Sequence, residues 1–119
     1  MANEINDFKQ LDVWKVAMEL AALTYRQTKS LPDDERFGLV SQMRRTSVSI
    51  ASNIAEGYGR GSRQDYIRFL LIARGAACEL ETQVLLCQQL GYSVDAEAVL
   101  PQLKRWYQLM HKLLVSLRE

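Results

Sequence analysis

Three observations predict an all-α fold, an antiparallel up-down-up-down four-helix bundle. Only two prolines and six glycines interrupt a 119-residue chain that is 48% hydrophobic and rich in Leu, Ala, Gln, Arg and Glu, which favours helix throughout. Apolar residues recur at three- and four-residue intervals in four successive stretches, with no alternating strand pattern and no internal repeat. The connections between these stretches are short, and short links between long helices force antiparallel neighbours. Residues 1–119 read as one domain, large enough to bury a core without metal or disulfide staples.

The first helix is expected from about Leu11 to Lys29, with Trp14, Ala17, Leu20 or Ala21, and Thr24 on its apolar face. Leu31-Pro32 closes it, because the residue before proline disfavours helix. Asp33 then stands as N-cap of the second helix, with Asp34 and Glu35 complementing its positive end. That helix extends to about Glu56 and buries Val40, Met43, Ser47, Ile50 and Ile54, a three-four spacing suited to shallow packing in a bundle. Gly57-Tyr58-Gly59-Arg60-Gly61 stops it, since glycine tolerates the positive φ of a sharp reversal. Ser62 and Asp65 form a capping-box-like start to the third helix, which runs to Leu90 with Gly91 as its left-handed C-terminal residue. Tyr66, Phe69, Ala73, Ala76 and Leu80 form one stripe along it, and Ile67, Leu70, Ala77, Val84 and Leu85 a second. The fourth helix begins near Asp95, with a bend expected at Pro101, and holds Val99, Leu103, Trp106, Met110, Leu113 and Leu117 at heptad spacing.

The second helix is unusually poor in charge. From Phe37 to Glu56 only Arg44, Arg45 and Glu56 are charged, too few to face water over half the circumference, so it must be covered on several sides. The wide stripe on the third helix likewise touches more than one neighbour. Both features predict an oligomer.

No stretch approaches twenty apolar residues, and the start, MANEINDFKQ, lacks the basic and apolar segments of a signal peptide. A cytoplasmic protein with no membrane association is expected. Cys78 and Cys87 lie nine residues apart on one helix, about 900° of rotation, so they point to opposite sides and read as buried free thiols.

The formal net charge is only +1, which by itself predicts no affinity for nucleic acid. Its distribution is uneven: residues 36–74 hold seven arginines against Glu56 and Asp65, a balance of +5, and the remainder holds 8 positive and 12 negative residues, a balance of −4. This asymmetry serves either an anion-attracting face or salt bridges between the halves.

Catalytic groupings are missing. Carboxylate-bridged metals in bundles use Glu-x-x-His pairs, whereas the single histidine, His111, follows Gln108 by three. Ser-His or Cys-His pairs would all converge on that histidine, which reads as a surface or satisfied side chain. Glu79 and Glu81 are about 200° apart on a helix and cannot act as a local pair. No cofactor, metal or small-molecule substrate is expected, and no enzymatic activity.

Two features remain as candidate sites. Gly57-x-Gly59-x-Gly61 leads into a helix N-terminus beside Arg60 and Arg63, and is either a tight interhelical turn or an anion contact; it matches neither a Walker loop nor a dinucleotide fingerprint. Gln42, Ser49, Asn53 and Glu56 fall within about 60° of one another on the second helix, with Arg45 beside them. This polar stripe is either a hydrogen-bonded network that sets packing register at a helix or subunit contact, or a ligand contact. Glu79 or Glu81 are candidate partners for Arg44 or Arg45.

Leu11-x-Val13-Trp14-x-x-Ala17, Phe37-Gly38-Leu39-x-x-Gln42-x-Arg44-Arg45, Ser49-Ile50-x-x-Asn53-Ile54-Ala55-Glu56-Gly57, Gly59-Arg60, Glu79-x-Glu81 and Leu90-Gly91-Tyr92 together resemble the bacterial four-helix-bundle proteins encoded by intervening sequences in 23S ribosomal RNA genes. The resemblance spans nearly the whole chain, with Pro101 as one local departure. It implies a homopentameric ring of bundles, and a similar fold serves as the nucleic-acid-binding accessory protein of diversity-generating retroelements. The expectation is a non-enzymatic homo-oligomer that binds RNA or DNA backbone through symmetry-repeated patches at Arg44, Arg45, Arg60 and Arg63. The alternative is a protein-interaction scaffold whose arginines only bridge subunits.

Overall fold

In the computed structural model, which describes residues 7–119, the chain forms four long helices: α1 (Asp12–Thr28), α2 (Leu39–Gly59), α3 (Arg63–Gln89) and α4 (Ala96–Arg118). Each packs against its sequence neighbours and α4 returns to α1, so the helices close a four-membered cycle. The result is an up-down-up-down bundle of 50 × 24 × 21 Å.

The apolar periodicity of each helix converges on one core. Leu20, Ile50, Ile54, Leu70, Leu80, Leu103, Trp106 and Met110 are fully buried. On α1 the buried face is Val13, Val16, Ala17, Leu20, Thr24 and Thr28; Trp14 and Ala21 are half-buried at its edge. The two threonines enter the core because their hydroxyls donate to the carbonyls of Leu20 and Thr24, at 2.7 and 2.8 Å, which removes the cost of burying an unpaired polar group. On α2, Met43, Ser47, Ile50 and Ile54 are buried as expected, whereas Val40 is half-buried and Leu39 takes the inner position.

Ser62 and Gly91 mark the ends of α3 as expected, and Asp95, the expected start of α4, caps that helix. Ser62 Oγ accepts from the Asp65 N–H, Asp95 Oδ1 accepts from the Ala98 N–H, and Gly91 ends α3 at φ 75°. α4 is unbroken through Pro101, which sits exposed in its second turn.

Asp33 does not cap α2. After Pro32 it opens a separate 3-10 turn, Asp33–Glu35, and α2 starts only at Leu39. The acid that reaches the new helix end is Glu35, whose Oε1 accepts the Leu39 N–H at 3.2 Å while Oε2 accepts the Tyr92 hydroxyl at 2.8 Å. One carboxylate thus ties the α1–α2 and α3–α4 connections together.

The glycine segment also differs from expectation. Gly57, Tyr58 and Gly59 all belong to α2, and the reversal is confined to Arg60-Gly61-Ser62, with Gly61 at φ 82°. Gly57 is small for a packing reason: a Cβ there would lie 2.6 Å from Phe69 Cβ and 3.2 Å from the Tyr66 carbonyl oxygen. The backbones of α2 and α3 approach closely at this point, and only glycine fits.

Candidate nucleic-acid interface

The four arginines singled out from sequence fall into two groups. Sixteen residues of helix at 1.5 Å per residue separate Arg44 from Arg60 by about 24 Å along α2, so no single patch contains them all.

Near the start of α2, Arg44 is half-buried and committed within the protomer. Its Nε donates to Thr28 Oγ1 at 2.9 Å, and its guanidinium lies 4.7 Å from the centroid of the Tyr25 ring. It pins α2 to α1 by hydrogen bonding and cation–π attraction. Arg45 points outward and donates to Ser41 Oγ at 3.2 Å. Among the described residues neither arginine forms an ion pair with Glu79 or Glu81. Glu81 instead accepts the Tyr107 hydroxyl at 2.9 Å, while Glu79 and Arg45 line one hollow between α2 and α3. Burial, then contacts with Cys78 and Glu81, push the Tyr107 hydroxyl far above its ordinary range.

At the α2–α3 turn a denser cationic cluster forms. The guanidinium groups of Arg60 and Arg68 lie 4.9 and 4.6 Å from the centroid of the same Phe69 ring. Arg63 stands exposed between them in sequence, at the first position of α3. Arg60 also meets Glu56 at 3.1 Å and Arg68 meets Asp65 at 3.8 Å, both pairs solvent-exposed and therefore weak. Sequence reading missed Arg68 and Phe69 as members of this cluster. The signal was present in their positions one turn into α3, but their approach to Arg60 depends on the reversal at Gly61.

The polar stripe of α2 makes its hydrogen bonds locally. Asn53 Nδ2 donates to the Ser49 carbonyl at 2.8 Å and to Ser49 Oγ at 3.0 Å. Glu56 pairs with Arg60, one turn on, and Gln42 is exposed, its carbonyl accepting from Thr46 Oγ1. Among the described residues the side chains of the stripe form no hydrogen bond to another helix, and Ser49 lies at the edge of the α2–α3 hollow.

The remaining reactive side chains lie apart. His111 is exposed along α4, beside Arg105 and Lys112. Cys87 is buried 3.8 Å from Met43 Sδ, and burial raises its thiol pKa; Cys78 is exposed, contrary to the expectation that both thiols are buried. Among the described residues no group of three or more His, Cys, Asp or Glu side chains is placed to hold a metal ion, and no helix is long and apolar enough to cross a membrane.

The fold and site thus define an all-helical bundle protein whose concentrated chemistry is an exposed arginine–aromatic cluster at one interhelical turn. The chain belongs to the 23S rRNA-intervening sequence protein family, whose model matches residues 9–116. A search of curated proteins found no match.

Proposed function

We propose that this protein is a non-enzymatic, cytoplasmic homo-oligomer that binds the backbone of RNA or DNA through arginines repeated by symmetry. One observation carries the proposal: Arg60 and Arg68 cluster around Phe69 at the N-terminal end of α3, whose first residue is the exposed Arg63. Guanidinium groups suit phosphate because they offer paired donors in a fixed plane, and the first N–H groups of a helix add a partial positive charge. One subunit supplies few contacts, but an oligomer repeats them, and linked weak contacts gain avidity.

Labelled single-stranded RNA, hairpin RNA and duplex DNA, titrated by fluorescence anisotropy across a salt series, test this reading. Affinity is expected to fall steeply with salt, each neutralised phosphate adding about 0.9 to the log–log slope on duplex DNA and about 0.7 on single strands. Arg60→Gln/Arg63→Gln flattens that slope with the oligomer intact. Arg44→Gln/Arg45→Gln, measured separately, reports whether phosphate reaches the distant pair. Absence of binding to every probe at low salt overturns the proposal.

A second reading, a protein-interaction scaffold without nucleic-acid affinity, draws on a specific observation. Glu56 and Asp65 already sit beside Arg60 and Arg68 and reduce the net charge of the cluster. Wild-type protein that assembles but shifts no probe supports it.

A further inference from the structure

The outward faces of α2 and α3 carry two seams that the described residues leave uncovered. On α3, Ile72, Gly75, Glu79, Thr82 and Leu86 follow one another at intervals of three, four, three and four, and all five are exposed. On α2, Ser41, Arg45, Val48, Ser52 and Ala55 follow at four, three, four and three, with Arg45, Val48 and Ser52 exposed and the other two half-buried. This is the spacing by which helices interdigitate in left-handed packing. Each protomer has already used other faces of these helices for its own core.

The two seams are unlike each other and complementary. The α2 seam borders an apolar groove of about 300 Å³ whose walls include Trp14, Met18 and Val48. Past Val48 the groove continues into a second hollow of about 440 Å³ beside Tyr25, Arg44 and Arg45. Among the described residues no carboxylate lines either hollow and Arg45 has no ion pair. The α3 seam supplies what this groove lacks: Ile72 and Leu86, 44% and 43% exposed, and between them Glu79, also without an ion pair among the described residues.

Gly75 adds an independent sign. It sits in the middle of a 27-residue helix, and apart from the helix's own neighbouring backbone no described atom lies within 4 Å of where its Cβ would be. Glycine in a helix interior costs about 1 kcal/mol relative to alanine, and nothing inside the protomer requires it. A second helix backbone lying close against the seam does require it.

From this geometry we infer that the α3 seam of one copy packs against the α2 seam and its α1–α2 groove on the next copy, with Glu79 of one meeting Arg45 of the other. The contact is heterologous, so repetition generates a ring when the rotation closes. Heights along the bundle are compatible with closure. Within one protomer Arg45 and Glu79 line the same hollow between α2 and α3 and so stand at similar heights along the bundle; in a ring without axial rise Arg45 therefore comes level with its neighbour's Glu79, within the span of the two side chains. This inference rests on the homo-oligomeric part of the proposed function and names the surface that forms it.

Light scattering coupled to size exclusion, on full-length protein at about 10 μM, tests it with two surface variants. Val48→Glu blocks the groove and leaves the α3 seam intact; Ile72→Glu blocks the seam and leaves the groove intact. Each alone is expected to be monomeric with unchanged helical circular dichroism, and an equimolar mixture is expected to form a one-to-one heterodimer through the two unblocked faces. Arg45→Glu and Glu79→Arg each weaken assembly at least tenfold, and the double variant recovers it. A monomeric wild type overturns the oligomeric reading as a whole. An oligomeric wild type whose subunit number survives both blocking variants, or a mixture that stays monomeric, overturns this interface alone.

Discussion

The indole N–H of Trp106 on α4 donates to the carbonyl of Val13 in the first turn of α1, at 2.9 Å and fully buried. This one bond joins residues 93 positions apart and locks the last helix onto the first, where the bundle closes. A tryptophan core position is tolerated here because its polar atom has a partner. Trp106→Phe is expected to lower stability by about 1–3 kcal/mol, through the lost donor and a small void, and Trp106→Ala by about 3–5 kcal/mol. Urea unfolding at a fixed protomer concentration reads the difference, because assembly makes apparent stability concentration-dependent.

Gly57 and Gly59 are expected to respond in opposite directions to the same substitution. At Gly57 an added methyl meets Phe69 Cβ and the Tyr66 carbonyl, so Gly57→Ala destabilises by about 1–3 kcal/mol through overpacking, despite the better helix propensity of alanine. At Gly59 nothing lies within 4 Å, and Gly59→Ala is neutral or stabilises by up to about 1 kcal/mol. Equal thermal shifts for the two variants would contradict the close approach of α2 and α3.

Tyr66 packs edge-to-face on Tyr58, and its hydroxyl is buried without a hydrogen-bond partner among the described residues. Burial, with the nearby Tyr58, raises its pKa from 10.0 to about 12. A folded-state pKa above the unfolded value means that the unfolded chain releases this proton first. Stability is therefore full below pH 10 and is lost progressively as pH rises from 10 towards 12. Tyr66→Phe is expected to reduce the fall in melting temperature over that window, and to match or exceed wild type at pH 7 because an unpaired buried hydroxyl is removed. A variant that melts earlier at pH 7 would show that the hydroxyl is paired, and one that keeps the full alkaline slope would show that another group carries the alkaline loss.

Glu35 caps α2 while holding Tyr92. Glu35→Ala is expected to cost about 1 kcal/mol, the usual value of a lost N-terminal cap, and to speed exchange of the Leu39 amide. Tyr92→Phe leaves the cap in place, so it loosens the α3–α4 connection without that exchange signature. Hydrogen exchange followed by mass spectrometry separates the two effects.

Much of the fold was legible because periodicity and capping are local. Met43, Ser47, Ile50 and Ile54 announce the inner face of α2 by spacing alone, and Ser62, Asp95 and Gly91 mark their helix ends through bonds that span three or four residues or through a left-handed dihedral. Errors arose where local chemistry was ambiguous. Asp33 and Glu35 are both acids ahead of a helix, and only the path of the backbone after Pro32 decides which reaches the free N–H. Gly57 permits a turn and permits a close helix contact, and the sequence does not distinguish the two. Gln42, Ser49, Asn53 and Glu56 share one face of α2 by helical spacing, but the bonds they make within α2 depend on rotamers that spacing does not fix.

The sequence by itself determined that the chain is helical, the approximate span of each of the four helices and the main apolar stripe of each, because a 3.6-residue period and capping energetics act over single turns. Only the tertiary structure decided that Arg44 is held by Tyr25 and Thr28 while Arg60 and Arg68 converge on Phe69. It alone placed Trp106 against Val13 and exposed the two uncovered seams of α2 and α3. Those relationships depend on the rotation and close approach of helices distant in the chain, and packing of the whole core sets them at once.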